Sequence, residues 1–409
     1  MTTRRRRGAG AACIALLMVA MGGCGGEPPV ARPPVRPPKP ARSIVRPVPF
    51  PFGTDTVAPA VTSDADGAVL VSWIDRRAHA LNIARWRDGR WFQPRTIARG
   101  DLAVSKANAP ALLAAHGVTV AEWIEHHGKG TAIRMSLSND GAASWSEPVT
   151  PHPNIESEFG FVSFAAEPDG GIGAVWLDGR KLEGGREGAG DMELRYAKID
   201  EAGNIASDQL LDPRVCDCCQ TTIASTANGP VVLYRDRSAD EIRDISVILK
   251  SGDGWTKPKP LRRDGWHIRG CPVNGPRADA AGLNVVAAWY SAANDQPRVN
   301  VAFSRDGGAT FADPIRVDGG HPAGHVDVAL LADGSAVVTW IENQEGNASI
   351  QATRVRRDRG RGSSVQVARV PAASSAGFPR IAISKDNIVV AWSGDPAGVR
   401  LALLHIPDL

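Results

Sequence analysis

Tyrosine is scarce in this 409-residue chain, with 3 residues, and aromatics together make up only 6% although 11 of them are Trp. So few tyrosines leave almost no choice for a phenolic nucleophile. No stretch carries sustained helical periodicity, which argues against a helix bundle. The apolar run Ala9–Met21 has 13 residues, too short to cross a bilayer as a helix. Net positive charge is also missing from the body of the chain. The net charge is +3, but residues 1–52 hold nine basic side chains and one acid, leaving 38 basic and 43 acidic residues beyond them. A slightly acidic body argues against a nucleic-acid binder, which needs a concentrated basic face. What is plentiful is apolar content (43%), Gly (43) and Pro (30), a mixture that fits a large core built with many turns.

The first residues read as an address. Arg4–Arg7 form a positive n-region, Ala9–Met21 an apolar h-region, and Met21-Gly22-Gly23-Cys24 resembles a bacterial lipobox with Cys24 as the acylated thiol. Residues 1–23 are therefore expected to be a lipoprotein signal peptide. Gly25 in place of an Asp implies outer-membrane sorting in a Gram-negative cell, facing the periplasm or the cell surface. Residues 24–42 form a Pro-rich linker, part of a run with ten prolines between positions 28 and 51. Such a run favours extended polyproline II and acts as a stiff spacer.

From residue 57 a pattern repeats. A strand-like run meets a turn, and a β-branched run then ends in an aromatic: Trp73, Trp123, Trp176, Tyr234, Trp289, Trp340 and Trp392, spaced by 50 to 58 residues. A third run and a short fourth run follow. Four short strands at a period near 50 are the signature of a β-propeller. Seven aromatics predict an all-β propeller of seven four-stranded blades over residues 43–409, with six blades as the alternative. The last unit supplies only three strands. Val45–Val48 resembles the other fourth strands, so an N-terminal strand is expected to complete the C-terminal blade and close the ring.

The turns between third and fourth strands carry a motif. Ser304-Arg305-Asp306-Gly307-Gly308-Ala309-Thr310-Phe311 fits S-x-D-x-G-x-T-W/F, and Ser138–Trp145 fits except at Ala142. Degenerate copies occupy 86–91 and 251–255. Here the chain resembles the sialidase (neuraminidase) superfamily of Asp-box, or BNR-repeat, proteins, over about residues 43–406. The motif itself is structural, with Ser and Asp side chains bonding turn amides. Sialidases have six blades, and the family's F/Y-R-I-P motif is missing here.

The resemblance implies a glycan or other polar ligand on the face opposite the Asp-boxes, and exo-α-sialidase-like chemistry if the protein is an enzyme. That chemistry needs arginines for a substrate carboxylate, a Tyr nucleophile polarised by an acid, and an Asp acid/base. The candidates are Tyr290, Asp236, Arg237, Arg277 and Arg76. Arg235, Asp178, Arg180, Glu125 and Arg380 are candidate ligand contacts. An acid stands two residues beyond the aromatic in five of the seven units, read either as turn chemistry or as a polar ring with the arginines.

Four cysteines remain in the body: Cys216, Cys218 and Cys219 before the fourth unit, and Cys271 before the fifth. Their even number suggests two disulfides in an exported protein, with Cys271 tied to the 216–219 segment. A metal site using these thiolates and His267 is the competing reading, although the spacing fits no standard zinc pattern. No cofactor, no metal and no nucleic-acid partner are expected, and the protein is read as a monomer held at a membrane by its lipid. The function expected from the sequence is a membrane-anchored, sialidase-like propeller that binds or processes glycan. The alternatives are a non-enzymatic envelope scaffold or receptor and a redox- or metal-handling propeller built on the Cys loops.

Overall fold

A computed structural model describes residues 44–409 apart from 169, 186–189, 207 and 395–397. The signal peptide, Cys24 and the linker to residue 42 lie outside the described residues. The rest folds as seven antiparallel sheets arranged as a seven-bladed β-propeller. The second strand of each blade shows why the sequence folds this way. Val69–Asp75, Ile172–Asp178, Gly229–Arg235, Asn284–Ser291 and Ala336–Gln344 are rich in Val, Ile and Ala, and nearly every residue is buried. Small and β-branched side chains suit a strand covered on both faces by neighbouring blades.

The apolar clusters lie between blades rather than within them. One joins Val120 and Ile133 of blade two to Phe164 and Trp176 of blade three. Another joins Val301 and Phe303 of blade five to Val338 and Trp340 of blade six. Six of the seven repeat aromatics are at most 1% exposed; the seventh, Trp392, is 9% exposed.

Ring closure follows the expected route. Val45–Val48 pairs antiparallel with Gly398–His405, from Val45 opposite Leu404 to Val48 opposite Leu401, and blade seven is completed by the N-terminal strand. Phe50 and Phe52 continue from this strand into a cluster with Trp73 and Trp91, with ring centroids 4.9–5.7 Å apart. Blade two departs from the four-strand pattern. It has three regular strands, and only Val149 bridges its outer edge, to Met135. The neighbouring Pro148 has no N–H to extend that ladder.

The turns at 138–145 and 304–311 share one hydrogen-bond pattern. Ser138 Oγ donates to Asp140 (2.8 Å), and Asp140 accepts from the amide (2.9 Å) and hydroxyl (2.6 Å) of Ser144. Ser304 Oγ donates likewise to Asp306 (2.7 Å), which accepts from Thr310 N (2.9 Å) and Oγ1 (2.6 Å). Gly308 holds φ +89°, and a Cβ there would come within 2.9 Å of Val231 Cγ2. In blade two, Ala142 takes the equivalent place at φ 69°.

Candidate functional site

Antiparallel order puts the inter-blade loops, and the starts of the innermost strands, on the face opposite those turns. The innermost strands of all seven blades surround a central cavity of about 180 Å³. Arg277 opens the innermost strand of blade five and Arg380 that of blade seven. Each follows a proline, Pro276 or Pro379, which fixes φ as the chain turns into the strand. Blade six adds Asp327, whose Oδ1 lies 3.4 Å from Arg277 Nε and whose Oδ2 accepts from Ile381 N at 2.9 Å. Arg380 is 8% exposed, with its guanidinium 5.8 Å from the Phe378 ring. Burial, and next the charge of Arg277, push Arg380 down to about 9, which leaves it cationic at neutral pH.

The cavity therefore holds two cations and one carboxylate. Arg380 Nη1 has no hydrogen-bond partner among the described residues, and Arg277 Nε has only the 3.4 Å ion pair with Asp327. Buried donors of this kind are costly unless something accepts from them. The arrangement suits a small anion or a carboxylate.

The acids that follow the repeat aromatics serve a different purpose. Trp123 Nε1 donates to Glu125 (2.9 Å), Trp176 to Asp178 (2.9 Å) and Trp340 to Glu342 (2.7 Å). Each carboxylate caps the indole N–H of its own blade, a need set by burial of a donor-only ring. Glu125 also pairs with Arg134 (2.9 Å). Asp178 is fully buried and accepts from Arg180 Nε (2.8 Å) and Nη2 (2.7 Å), while Arg180 also reaches Asp208 (2.8 Å). Glu125, Asp178 and Arg180, expected as ligand contacts, thus have these polar atoms engaged by protein partners, with Asp178 fully buried.

The proposed catalytic group does not assemble. Arg237 is held by Glu241 (2.9 Å), which also takes Arg243 (3.0 Å). Arg76 is an exposed partner of Asp55 (2.6 Å) in blade one. Asp236 accepts from Ser246 Oγ (2.8 Å) and from Arg237 N, and burial raises its carboxyl. Tyr290 packs edge-on against Trp266, and its hydroxyl has no hydrogen-bond partner among the described residues. Burial raises that phenol against the opposing charge of Arg235, so its surroundings on balance disfavour the phenolate that a nucleophile needs. Of the named candidates, only Arg277 and Arg380 meet across a cavity.

Arg235 is 2% exposed and lies against Trp266, its guanidinium 4.7 Å from the ring centroid. It donates to the carbonyls of Asn274 (2.8 Å), Arg243 (2.6 Å) and Tyr290 (2.7 Å), locking the loops of blades four and five. Expected as a ligand contact, it spends these donors on a structural tie between the two loops.

Beside it sit the cysteines. Cys218 and Cys271 form a disulfide with Cα atoms 6.0 Å apart, joining the two loops as anticipated. The second disulfide suggested by the even count is not formed: Cys216 and Cys219 are free thiols, 3.2 Å apart and buried. With Cys218 bonded, two thiols remain of the three-sulfur cluster that could hold an ion. His267 is exposed and lies outside that cluster.

Asp327 and the buried Glu122 were not singled out from the sequence. Each is an acid inside an apolar strand, Val326-Asp327-Val328-Ala329 and Val120-Ala121-Glu122-Trp123, and that interruption was the available signal.

No family model matches the chain, and no curated protein does. Solved structures match in fold. A protein of unknown function from Dyadobacter fermentans is 14% identical, with 88% of this chain and 98% of that chain covered and a TM-score of 0.50. The polysaccharide lyase Uly1 is 11% identical, with 88% and 91% covered and a TM-score of 0.49. The NanB sialidase from Streptococcus pneumoniae is 11% identical, with 89% and 95% covered and a TM-score of 0.47.

Proposed function

We propose that this chain is a lipid-anchored envelope propeller that binds an acidic glycan by a carboxylate and does not hydrolyse it. The observation that carries the reading is the pair Arg277 and Arg380, two guanidinium groups that line one cavity with a single carboxylate, Asp327, between them. Two guanidinium groups can hold a carboxylate through charge-assisted hydrogen bonds. The 180 Å³ cavity is smaller than the roughly 300–1,000 Å³ of sites that enclose a whole drug-sized ligand. It fits the acid group, with the rest of the sugar at the mouth. Binding without hydrolysis is supported by Tyr290, whose hydroxyl bonds no acid among the described residues and whose phenol burial raises, and by Asp236 and Arg237, both engaged elsewhere.

Calorimetric titration of the mature protein tests this. N-acetylneuraminate or glucuronate should bind and neutral galactose should not, and Arg380→Met should weaken the acid at least about tenfold. Equal affinity for neutral and acidic sugars, or no change in Arg380→Met, would refute the site. Turnover of a fluorogenic sialoside would refute the binding-only reading. The anchor is tested separately. Cys24→Ser should move the protein from the detergent-extracted membrane fraction to the soluble export fraction, and unchanged partition would sink it.

A further inference from the structure

The cysteine loops hold more than a cross-link. Cys216 Sγ lies 3.2 Å from Cys219 Sγ and 3.8 Å from Cys218 Sγ, one half of the Cys218–Cys271 disulfide. A thiol pair and a disulfide are thus in van der Waals contact through three consecutive sulfurs. Cys216, Cys218 and Cys219 are 0%, 7% and 2% exposed, whereas Cys271 is exposed. The cluster has one solvent-facing end.

The surroundings favour a negative sulfur at Cys216. Arg243 Nη1 donates to Cys216 Sγ at 3.3 Å. Arg235 is buried, and its described partners are three neutral carbonyls, with no carboxylate among them. A buried cation satisfied only by neutral groups still lacks a counter-charge. The hydrogen bond with Cys219 and the two guanidinium groups bring Cys216 down to about 7, while burial holds Cys219 well above the ordinary thiol range. Cys216 is then the nucleophile and Cys219 the proton-bearing partner, a division of labour that thiol–disulfide exchange requires.

We propose that Cys216 and Cys219 are the buried dithiol of a relay that exchanges with the Cys218–Cys271 disulfide, with Cys271 as its surface port. The Cys216 thiolate attacks Cys218 Sγ, the Cys216–Cys218 bond forms, and Cys271 leaves as thiolate. Cys219 loses its proton and attacks Cys216, Cys218 leaves as thiolate and takes up that proton, and the product is a Cys216–Cys219 disulfide with Cys218 and Cys271 reduced. One disulfide and two thiols stand on each side. An external low-molecular-weight disulfide then completes a cycle. The Cys271 thiolate attacks it and releases one thiol, and Cys218 resolves the mixed disulfide and releases the second. The net change is oxidation of Cys216 and Cys219 and reduction of one external disulfide to two thiols.

The test uses the mature protein, folded and without reductant, incubated with N-ethylmaleimide and mapped by mass spectrometry over time. Label should accumulate at Cys271 in molecules that carry a Cys216–Cys219 disulfide. Cys216→Ser should abolish labelling of Cys271. Cys219→Ser should retain it, with the product stopped at Cys216–Cys218. Arg243→Gln should slow it on the order of tenfold by removing a cation from the thiolate, and Arg243→Lys should restore much of the rate. Label confined to Cys216 and Cys219, with Cys218–Cys271 intact at all times, would overturn the relay. So would equal labelling of Cys271 in the wild type and Cys216→Ser.

Discussion

Replacing Asp178 by Ala separates a structural carboxylate from a ligand-binding one. In blade three this fully buried side chain accepts from Trp176 Nε1, from the Arg180 amide and from both Nε and Nη2 of Arg180. Alanine leaves a buried indole N–H without an acceptor, a loss of about 1–3 kcal/mol. It also removes one partner of a largely buried ion pair, which commonly costs about 3–5 kcal/mol. Arg180 keeps Asp208 at 2.8 Å, so these terms overlap. The expected total is about 3–5 kcal/mol. At roughly 2.1 cal/mol/K per residue, a body of this size unfolds with an entropy near 0.8 kcal/mol/K, and the melting temperature should fall by about 4–6 °C. Urea unfolding followed by tryptophan fluorescence gives the free energy. In a Trp176→Phe background the same change should cost about 1–2 kcal/mol less, because the indole donor is already gone. A cost under about 1 kcal/mol in both backgrounds would refute the indole-cap argument and return Asp178 to the list of groups free to meet a ligand.

Three further outcomes follow from the same structure. Asp306→Ala should cost about 1–2 kcal/mol by removing the acceptor of the Thr310 and Ser304 bonds. Burial opposes ionisation of Asp306, but those bonds hold it down to about 2, so its contribution is present above about pH 4 and fades as pH falls toward 2; a wild-type–variant gap that does not narrow by pH 3 contradicts this. Glu122 is raised to about 8 by burial, so the unfolded chain loses that proton first and stability falls between about pH 4.5 and 8. Glu122→Gln should therefore gain on the wild type across that window, and a pH-independent difference in unfolding free energy would speak against it. Phe52→Ala removes a ring stacked on Trp73 at 4.9 Å and should cost about 2–3 kcal/mol, less than full burial would because Phe52 is half-exposed; amide exchange at Leu401–Leu404 should speed up, and unchanged protection there would show that the closing strand does not rely on it.

The blades were legible because their physics is local and repeated. A strand covered on both sides must be small or β-branched, and an aromatic at its end must recur, so Trp73 to Trp392 mark the repeat without any long-range knowledge. Closure by Val45–Val48 was readable from the shortage of one strand in the last unit. The site was not legible in the same way. The sequence places Asp178 and Arg180 in a promising loop, but only distance shows that they satisfy each other. Arg277 and Arg380 lie 103 positions apart, and nothing in the spacing says that they face Asp327 across the axis. The cysteine pairing was narrowed to two segments. The choice of Cys218 over Cys216 or Cys219 depends on side-chain directions within one tight turn, which a run of adjacent cysteines leaves open.

The strand Val45–Val48 pairs with Leu401–Leu404, more than 350 positions further along the sequence, and this sets the order of assembly. Blades one to six can each form from a contiguous stretch as the chain emerges. The seventh sheet waits for both ends. Bringing them together costs roughly 3 kcal/mol more in chain entropy than closing a ten-residue hairpin, and pairing of such high sequence separation is slow. Until it happens, an unpaired edge along Gly398–His405 stays available to any other chain. The newly made chain is therefore most vulnerable to aggregation just before its ring shuts. The same seam, held by no covalent continuity between its neighbouring strands, is where the finished ring should first reopen under heat.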